Sequence, residues 1–237
     1  MVEEPRPRGP KRRLSEDEFA RIALTVIDSE GLGALNVRRL ATELNMSPGS
    51  LYTYFSNKDA LLDRMLALAL ETTPTEASDA TPQDALVSLF RRQFEAFTHH
   101  PGAIELVMAG VASPEIDQLR EQMLRLFEDS GLSTAQCVRA ADLMMSHVIG
   151  NVLVESTRQS RSDRGSELER RRSLPADDFP HLRRASLEAT QPHPGEVFEL
   201  GLAALLSALL AAAHEDPEPP PLTAKAPTSS TAIPDVS

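Results

Sequence analysis

"LNVRRLATELNMSPGSLYTYFSNKDALLDRML", residues 35–66, decides how the rest of the chain is read. It falls into three apolar-periodic pieces divided by polar punctuation. "VRRLATEL" sets Leu40, Ala41 and Leu44 on one helical face. "SPGSLYTYF" opens on Ser47 as a cap and Pro48 at the first helical position, where a missing N–H costs nothing. "SNKDALLDRMLALAL" starts again, with a capping box expected from Ser56 and Asp59. Two short helices joined by about three residues have the length pattern of a helix-turn-helix. The middle piece also holds both tyrosines of the 237-residue chain, Tyr52 and Tyr54, in a protein with no Trp.

At about 100° per residue, the middle helix turns Leu51 and Phe55 inward and gathers Gly49, Ser50 and Thr53 on the opposite side. Tyr52 and Tyr54 fall on the flanks between these faces. Small outer side chains let a helix backbone sink into the major groove, where hydroxyls meet base edges. Phenols on the flanks reach toward the phosphate walls, where an O–H is a serviceable donor. Arg38 and Lys58 supply positive charge at the borders of this surface. The competing reading makes the tyrosines half-buried ties between this helix and its neighbours. Leu40, Leu44, Met46, Leu51 and Phe55 are assigned to the core.

These features closely resemble the DNA-binding domain of the tetracycline-repressor (TetR) family of bacterial transcription regulators, over residues 15–66. The resemblance implies a homodimer of all-α subunits, each with an N-terminal head and a C-terminal ligand and dimerisation domain. Carried over residue by residue, contacts to a double-stranded DNA operator fall to Val37, Arg38, Pro48, Gly49, Ser50, Tyr52, Thr53, Tyr54 and Lys58. The segment "PHPGEVFELGLAALLSALLAAA", residues 192–213, is similar to the last helix in the branch containing the tetracycline repressors. Those receptors share "HPGA" with this chain but carry a magnesium-binding His in the next helix, where an ungapped match puts Leu106. Their first drug-binding His falls at Pro74. Tetracycline is therefore not the expected inducer.

Outside this region nearly every long segment reads as helix. "SEDEF" offers Ser15 and Glu18 as a capping box, followed by Phe19, Ile22, Ala23, Val26 and Ile27 at helical spacing. Nothing alternates with period two, so the expected fold is all-α: a three-helix helix-turn-helix domain plus a helical ligand-binding and dimerisation bundle. The expected division is a basic arm at 1–14, the DNA-binding domain at 15–66, the ligand and dimer domain at 67–214, and a disordered Pro/Ser/Thr-rich tail at 215–237. Residues 160–176 are polar and expected to be mobile, with a short helix around 177–189.

The net charge of −11 argues at first against nucleic acid, but residues 1–64 hold ten basic and ten acidic side chains and are neutral. "RPRGPKRR" puts five positive charges between Arg6 and Arg13, so Lys11, Arg12 and Arg13 are candidate phosphate contacts. A plain solvated terminus explains the arm equally well.

In the second domain the last helix is apolar around most of its circumference, with a small-residue strip of Gly201, Ala204 and Ala208. The helix at 133–159 carries Val138, Ala141, Met145, Val148 and Val152 along one side. Two such helices per subunit predict a four-helix dimer interface; a monomer burying both is the alternative. Candidate residues for a small hydrophobic effector are Phe94, Phe97, His100, Met108, Met144, His147 and Asn151, any of which can equally be plain core. Adjacent His99 and His100 diverge by about 100° on a helix and make poor co-ligands, so no metal is expected. The single cysteine, Cys137, cannot form an intrachain disulfide and reads as an apolar filler. No unbroken apolar run reaches the roughly 18 residues of a membrane span, and no phosphate loop, nucleophile elbow or zinc spacing is present. The chain reads as a cytoplasmic DNA-binding regulator, not an enzyme, and needs no cofactor. Its expected mode is repression from a palindromic operator, relieved by a ligand; the alternatives are a regulator without small-molecule induction, or an activator.

Overall fold

The computed structural model describes residues 14–44, 46–71, 81–160, 164–188 and 195–214. Among the described residues every regular element is helical. The arm residues Lys11, Arg12 and Arg13, the tail at 215–237 and Pro74 lie outside them.

Helix α1 (Glu16–Glu30) begins as the sequence requires: Ser15 Oγ accepts from the Glu18 N–H, and the Glu18 carboxylate returns a bond to the Ser15 N–H. It buries Phe19, Ala23, Val26 and Ile27 and stops at Gly31, whose φ of +81° suits a residue without Cβ. Helix α2 (Val37–Glu43) is capped by Asn36. The next element, Pro48–Thr53, is a 3-10 helix and not the α-helix expected from the sequence. Helix α3 (Lys58–Leu70) is capped by Asn57, whose Oδ1 accepts from the Ala60 N–H at 2.8 Å, so the cap is one residue later than Ser56. An Asn side chain reaches the third N–H as well as a Ser does, which is why the sequence left the two hard to separate. α3 runs without a break across residue 66 and enters the second domain.

That domain is built from α4 (Pro82–His99), α5 (Pro101–Met108), α6 (Pro114–Asp129), α7 (Thr134–Ser160), α8 (Arg164–Arg172), α9 (Pro180–Glu188) and α10 (Glu196–Ala211). α7 packs on α4, α6 and α10, α4 also packs on α6 and α10, and α5 bridges back to α1 and α3. Phe90 and Phe127, both fully buried, pack with ring centroids 6.2 Å apart between α4 and α6. The stretch expected to be mobile contains α8, a helix with almost no apolar residues. It stands because it is tied to α9: Arg172 Nε donates to the Ser186 carbonyl at 3.2 Å, and Arg183 Nη1 to the Leu174 carbonyl at 3.2 Å.

On α7, Ala141, Val148 and Val152 face the chain's own core, and Met145 packs against it. Most of the stripe expected to meet a partner is therefore spent inside the subunit, and only Val138, 48% exposed, still faces outward. The outward face carries Leu143, Leu153 and Val154 instead. Thr134–Thr157 is long and apolar enough, by composition, to cross a membrane, with a mean hydropathy of 1.3 over its most apolar window. Its apolar character serves two opposite faces, and Arg139, Asp142 and His147 interrupt the run.

Head and core are joined where α1 ends on the start of α5. The Asp28 carboxylate accepts from the Gly102 N–H at 2.9 Å and pairs with His100 Nδ1 at 2.8 Å. Glu105 on α5 accepts from the Leu32 N–H at 2.8 Å, just past the end of α1. A Cβ at Gly102 would come within 2.8 Å of the Ile27 carbonyl carbon and 3.0 Å of the Asp28 nitrogen. Those are backbone atoms, so they cannot swing aside. Helix propensity alone favours Ala over Gly by up to about 1 kcal/mol, yet overpacking costs typically ~1–3 kcal/mol. We expect Gly102→Ala to lower the melting temperature in a thermal unfolding scan, whereas Gly33→Ala, with nothing within 4 Å, leaves it near wild type. An unchanged or raised melting temperature for Gly102→Ala would contradict this joint.

Candidate nucleic-acid interface and ligand-domain sites

The 3-10 segment owes its position to the residues that follow it. Phe55 is buried, its ring 5.6 Å from Phe19 in an edge-on arrangement. Tyr54 is half-buried, its ring 5.5 Å from Phe19 and tilted by 31°. With 3.0 residues per turn, a 3-10 winding advances about 120° per residue and carries position 54 round toward the row of position 51. The α-helical spacing had left Tyr54 on an outer flank; the tighter winding turns it onto α1. The two tyrosines therefore divide the work. Tyr54 ties the segment down, while Tyr52 stands outward at 62% exposure.

Around Tyr52 the outer edge is open. Gly49 and Thr53 are exposed, and a Cβ added at Gly49 would meet nothing within 4 Å. Arg38 on α2 and Lys58 at the start of α3 are exposed on either side in the sequence. Arg39, by contrast, is held away from any such role by Glu30 at 2.6 Å and Glu43 at 3.7 Å. The side chains of Val37, Pro48, Ser50 and Leu51 lie outside the described set. Leu40 is buried, and Leu44 and Met46 pack against the core.

In the ligand domain the expected residues separate into three groups. Phe94, His147 and Asn151 come together around Phe198 of α10. The Phe94 ring stacks on Phe198 at 4.1 Å and 8°, and the His147 ring lies on Phe198 at 5.4 Å and 15°. His147 Nε2 contacts the Phe198 carbonyl at 3.0 Å; a carbonyl only accepts, so Nε2 carries a proton there. Nδ1 is then free to accept from Asn151 Nδ2 at 3.1 Å. Gly201 makes the stack possible, because a Cβ there would overlap the His147 ring. The small residue read as part of a dimer strip thus serves an internal contact.

Phe97 and Met144 are fully enclosed in the core and offer no surface to a ligand. His100 is engaged by Asp28 in the head–core joint. Met108 ends α5 and stands 74% exposed, away from the enclosed cluster. Leu106, at the position of the tetracycline receptors' metal ligand, is buried.

A cleft of about 210 Å³ lies elsewhere, where α3, α4 and α6 meet. Its walls include Leu70, Glu71, Gln93, Glu115 and Leu119, none of them singled out from the sequence. One signal was readable: Gln93 sits in the apolar register of α4, between Leu89/Phe90 and Ala96/Phe97, where a polar side chain needs a reason.

An open edge on a braced helix-turn-helix above a helical core is the architecture of a class of DNA-binding regulator. Residues 21–65 match the family described as bacterial regulatory proteins, tetR family, and residues 73–213 match the tetracyclin repressor-like C-terminal domain. The chain belongs to the tetR family. It is 29% identical over 175 residues to the HTH-type transcriptional repressor DrrR1 of Streptomyces coeruleorubidus, covering 73% of this chain and 62% of that one. The match thus spans less than two thirds of that relative's length. Its fold is similar to that of ActR from Streptomyces coelicolor in complex with actinorhodin, with a TM-score of 0.69, 29% identity, and coverage of 86% and 100% of the two chains. It is also similar to BioQ, known from Mycobacterium smegmatis, in the structure with its double-stranded DNA operator, with a TM-score of 0.58, 27% identity, and coverage of 84% and 99%.

The division of the tyrosines has a direct consequence. Tyr54→Ala removes a half-buried ring and an aromatic pair, and we expect a loss of about 1–3 kcal/mol. Tyr52→Ala should stay within about 0.5 kcal/mol of wild type. Urea unfolding at fixed protein concentration checks both, and equal effects of the two would contradict the geometry.

Proposed function

We propose that this protein is a transcriptional repressor that binds a roughly palindromic operator as a homodimer and is released by a small effector. The observation that carries the reading is the open edge at Gly49, Tyr52 and Thr53, braced from behind by Tyr54 and Phe55 on Phe19. An element that is slim outside and tied down inside can enter a major groove without losing its position. Backbone approach at Gly49 meets no side chain, the Tyr52 hydroxyl reaches outward as a donor, and Arg38 and Lys58 attract phosphate. In its native setting the protein would act in the cytoplasm, where the DNA is.

The outward faces of α7 and α10 support the dimer. Leu153 and Val154 on α7, and Val197 and Leu200 on α10, are all between 46% and 73% exposed. Apolar side chains on two long helices at such exposure need cover, and a stable interface buries about 800 Å² per partner. Ala204 and Ala208 are exposed on α10 and permit close approach. Two heads about 34–36 Å apart would meet successive major grooves on one side of the duplex. An effector preferring the DNA-incompetent arrangement ~100-fold would shift the balance by about 2.7 kcal/mol. Support for repression comes from DrrR1, named a repressor, and support for ligand control from ActR, solved with actinorhodin.

Fluorescence anisotropy with DNA from upstream of its own gene tests the interface. We expect Arg38→Ala combined with Lys58→Ala to weaken binding and to lower the slope of log K against log[salt] by about 2, one for each phosphate contact. An unchanged slope and affinity would place the DNA on another surface.

A further inference from the structure

Among the described residues two buried side-chain atoms lack a hydrogen-bond partner, Arg92 Nε and Gln93 Oε1. Gln93 is 1% exposed, and it lines the cleft of about 210 Å³ between α3, α4 and α6. A buried amide oxygen without a donor is destabilising, so its retention calls for a reason, and a donor arriving from a ligand is one. The remaining walls say what that is. Ala67, Leu70 and Leu119 make an apolar lining, Gln118 and Gln122 contribute amides, neither of which reaches Gln93 Oε1, and Glu71 and Glu115 add two carboxylates. Among the described residues no lysine or arginine lines the cleft, although Arg64 pairs with Glu71 at 3.0 Å. Burial first, and then the negative charges of Asp59 and Glu115, push the neighbouring Asp63 carboxyl above its ordinary range.

We propose that this cleft is an effector site for a small amphipathic amine, its N–H donated to Gln93 Oε1, its apolar body on Leu70 and Leu119, its charge balanced by Glu71 and Glu115. The site is built into the junction between head and core. Glu71 pairs with Arg64 Nη1 at 3.0 Å, and Arg64 Nε pairs with Asp17 in the first turn of α1 at 2.7 Å. A cation that engages Glu71 competes with Arg64 for that carboxylate and loosens a chain of charges ending on the head. The regulatory half of the proposal rests on the DNA-binding reading; the binding half does not.

Isothermal titration calorimetry of the full chain with 1-naphthylmethylamine, against 1-naphthalenemethanol and 1-naphthoate, tests the site without DNA. The expected result is saturable binding of the amine, at least 10-fold weaker for the alcohol and undetectable for the naphthoate. Gln93→Leu should lose at least 10-fold in amine affinity while melting no lower than wild type, because it removes the orphaned oxygen. Glu115→Gln, a change at the less buried wall, should lose affinity with the fold intact. Absence of amine binding, equal binding of all three compounds, or wild-type affinity in both variants would overturn the site. With binding established, operator anisotropy is expected to weaken at least 5-fold on adding the amine. Unchanged operator affinity would overturn the effector role, whereas failure of the protein to bind DNA at all would strike the functional reading and leave the calorimetric result standing.

Discussion

The structure depends on one close approach, the end of α1 against the start of α5. Gly102 has no side chain, so its N–H comes within reach of the Asp28 carboxylate, and the same carboxylate holds His100. Glu105 then closes the Leu32 N–H beyond the helix. Three bonds across one contact make the head an extension of the core. A hinge that bent freely here would leave the recognition segment pointing nowhere in particular, and no event in the core would reach it.

The head itself is too small to be an independent body of much stability. It borrows from the core through α3, which buries Leu61, Leu62, Met65 and Leu66 and continues to Leu70 without a break. α1 lies on this helix, and Arg64 ties its first turn to α3 through Asp17. Asp17 is held below the usual carboxylate range, first by its hydrogen bond to the Arg64 guanidinium. Sequence, helix and joint therefore converge on one arrangement: apolar stripes set the packing, and a few charge-assisted bonds fix the orientation.

Much of this was legible in the residues. Capping at Ser15 and the apolar stripes of α1 and α3 follow from local rules that tertiary structure did not override. The all-α fold and the helix-turn-helix followed from the same signals. What escaped depended on contacts distant in sequence. Tyr54 turns inward just after a segment wound as a 3-10 helix, onto Phe19, which lies 35 positions earlier. α8 has no apolar stripe and is held by arginine bonds to carbonyls of the neighbouring segment, which periodicity does not report. On α7, apolar residues on both sides made either face a candidate for the core, and only the packing of α4, α6 and α10 chose between them. Gly201 looked like half of a helix–helix strip, yet its missing side chain makes room for His147. Met108 and Phe97 are both apolar, and composition cannot distinguish an exposed helix end from an enclosed core position.

The central claim is that two rigidly braced heads present their open edges at a separation set by the body beneath them. Pulsed electron spin resonance between spin labels at Ser56→Cys on the two subunits measures that separation directly, and the buried Cys137 stays unlabelled. On operator DNA the account predicts one narrow distance population within about 10 Å of the one-turn groove spacing of about 34–36 Å. A broad distribution, or no coupling between subunits, would contradict it.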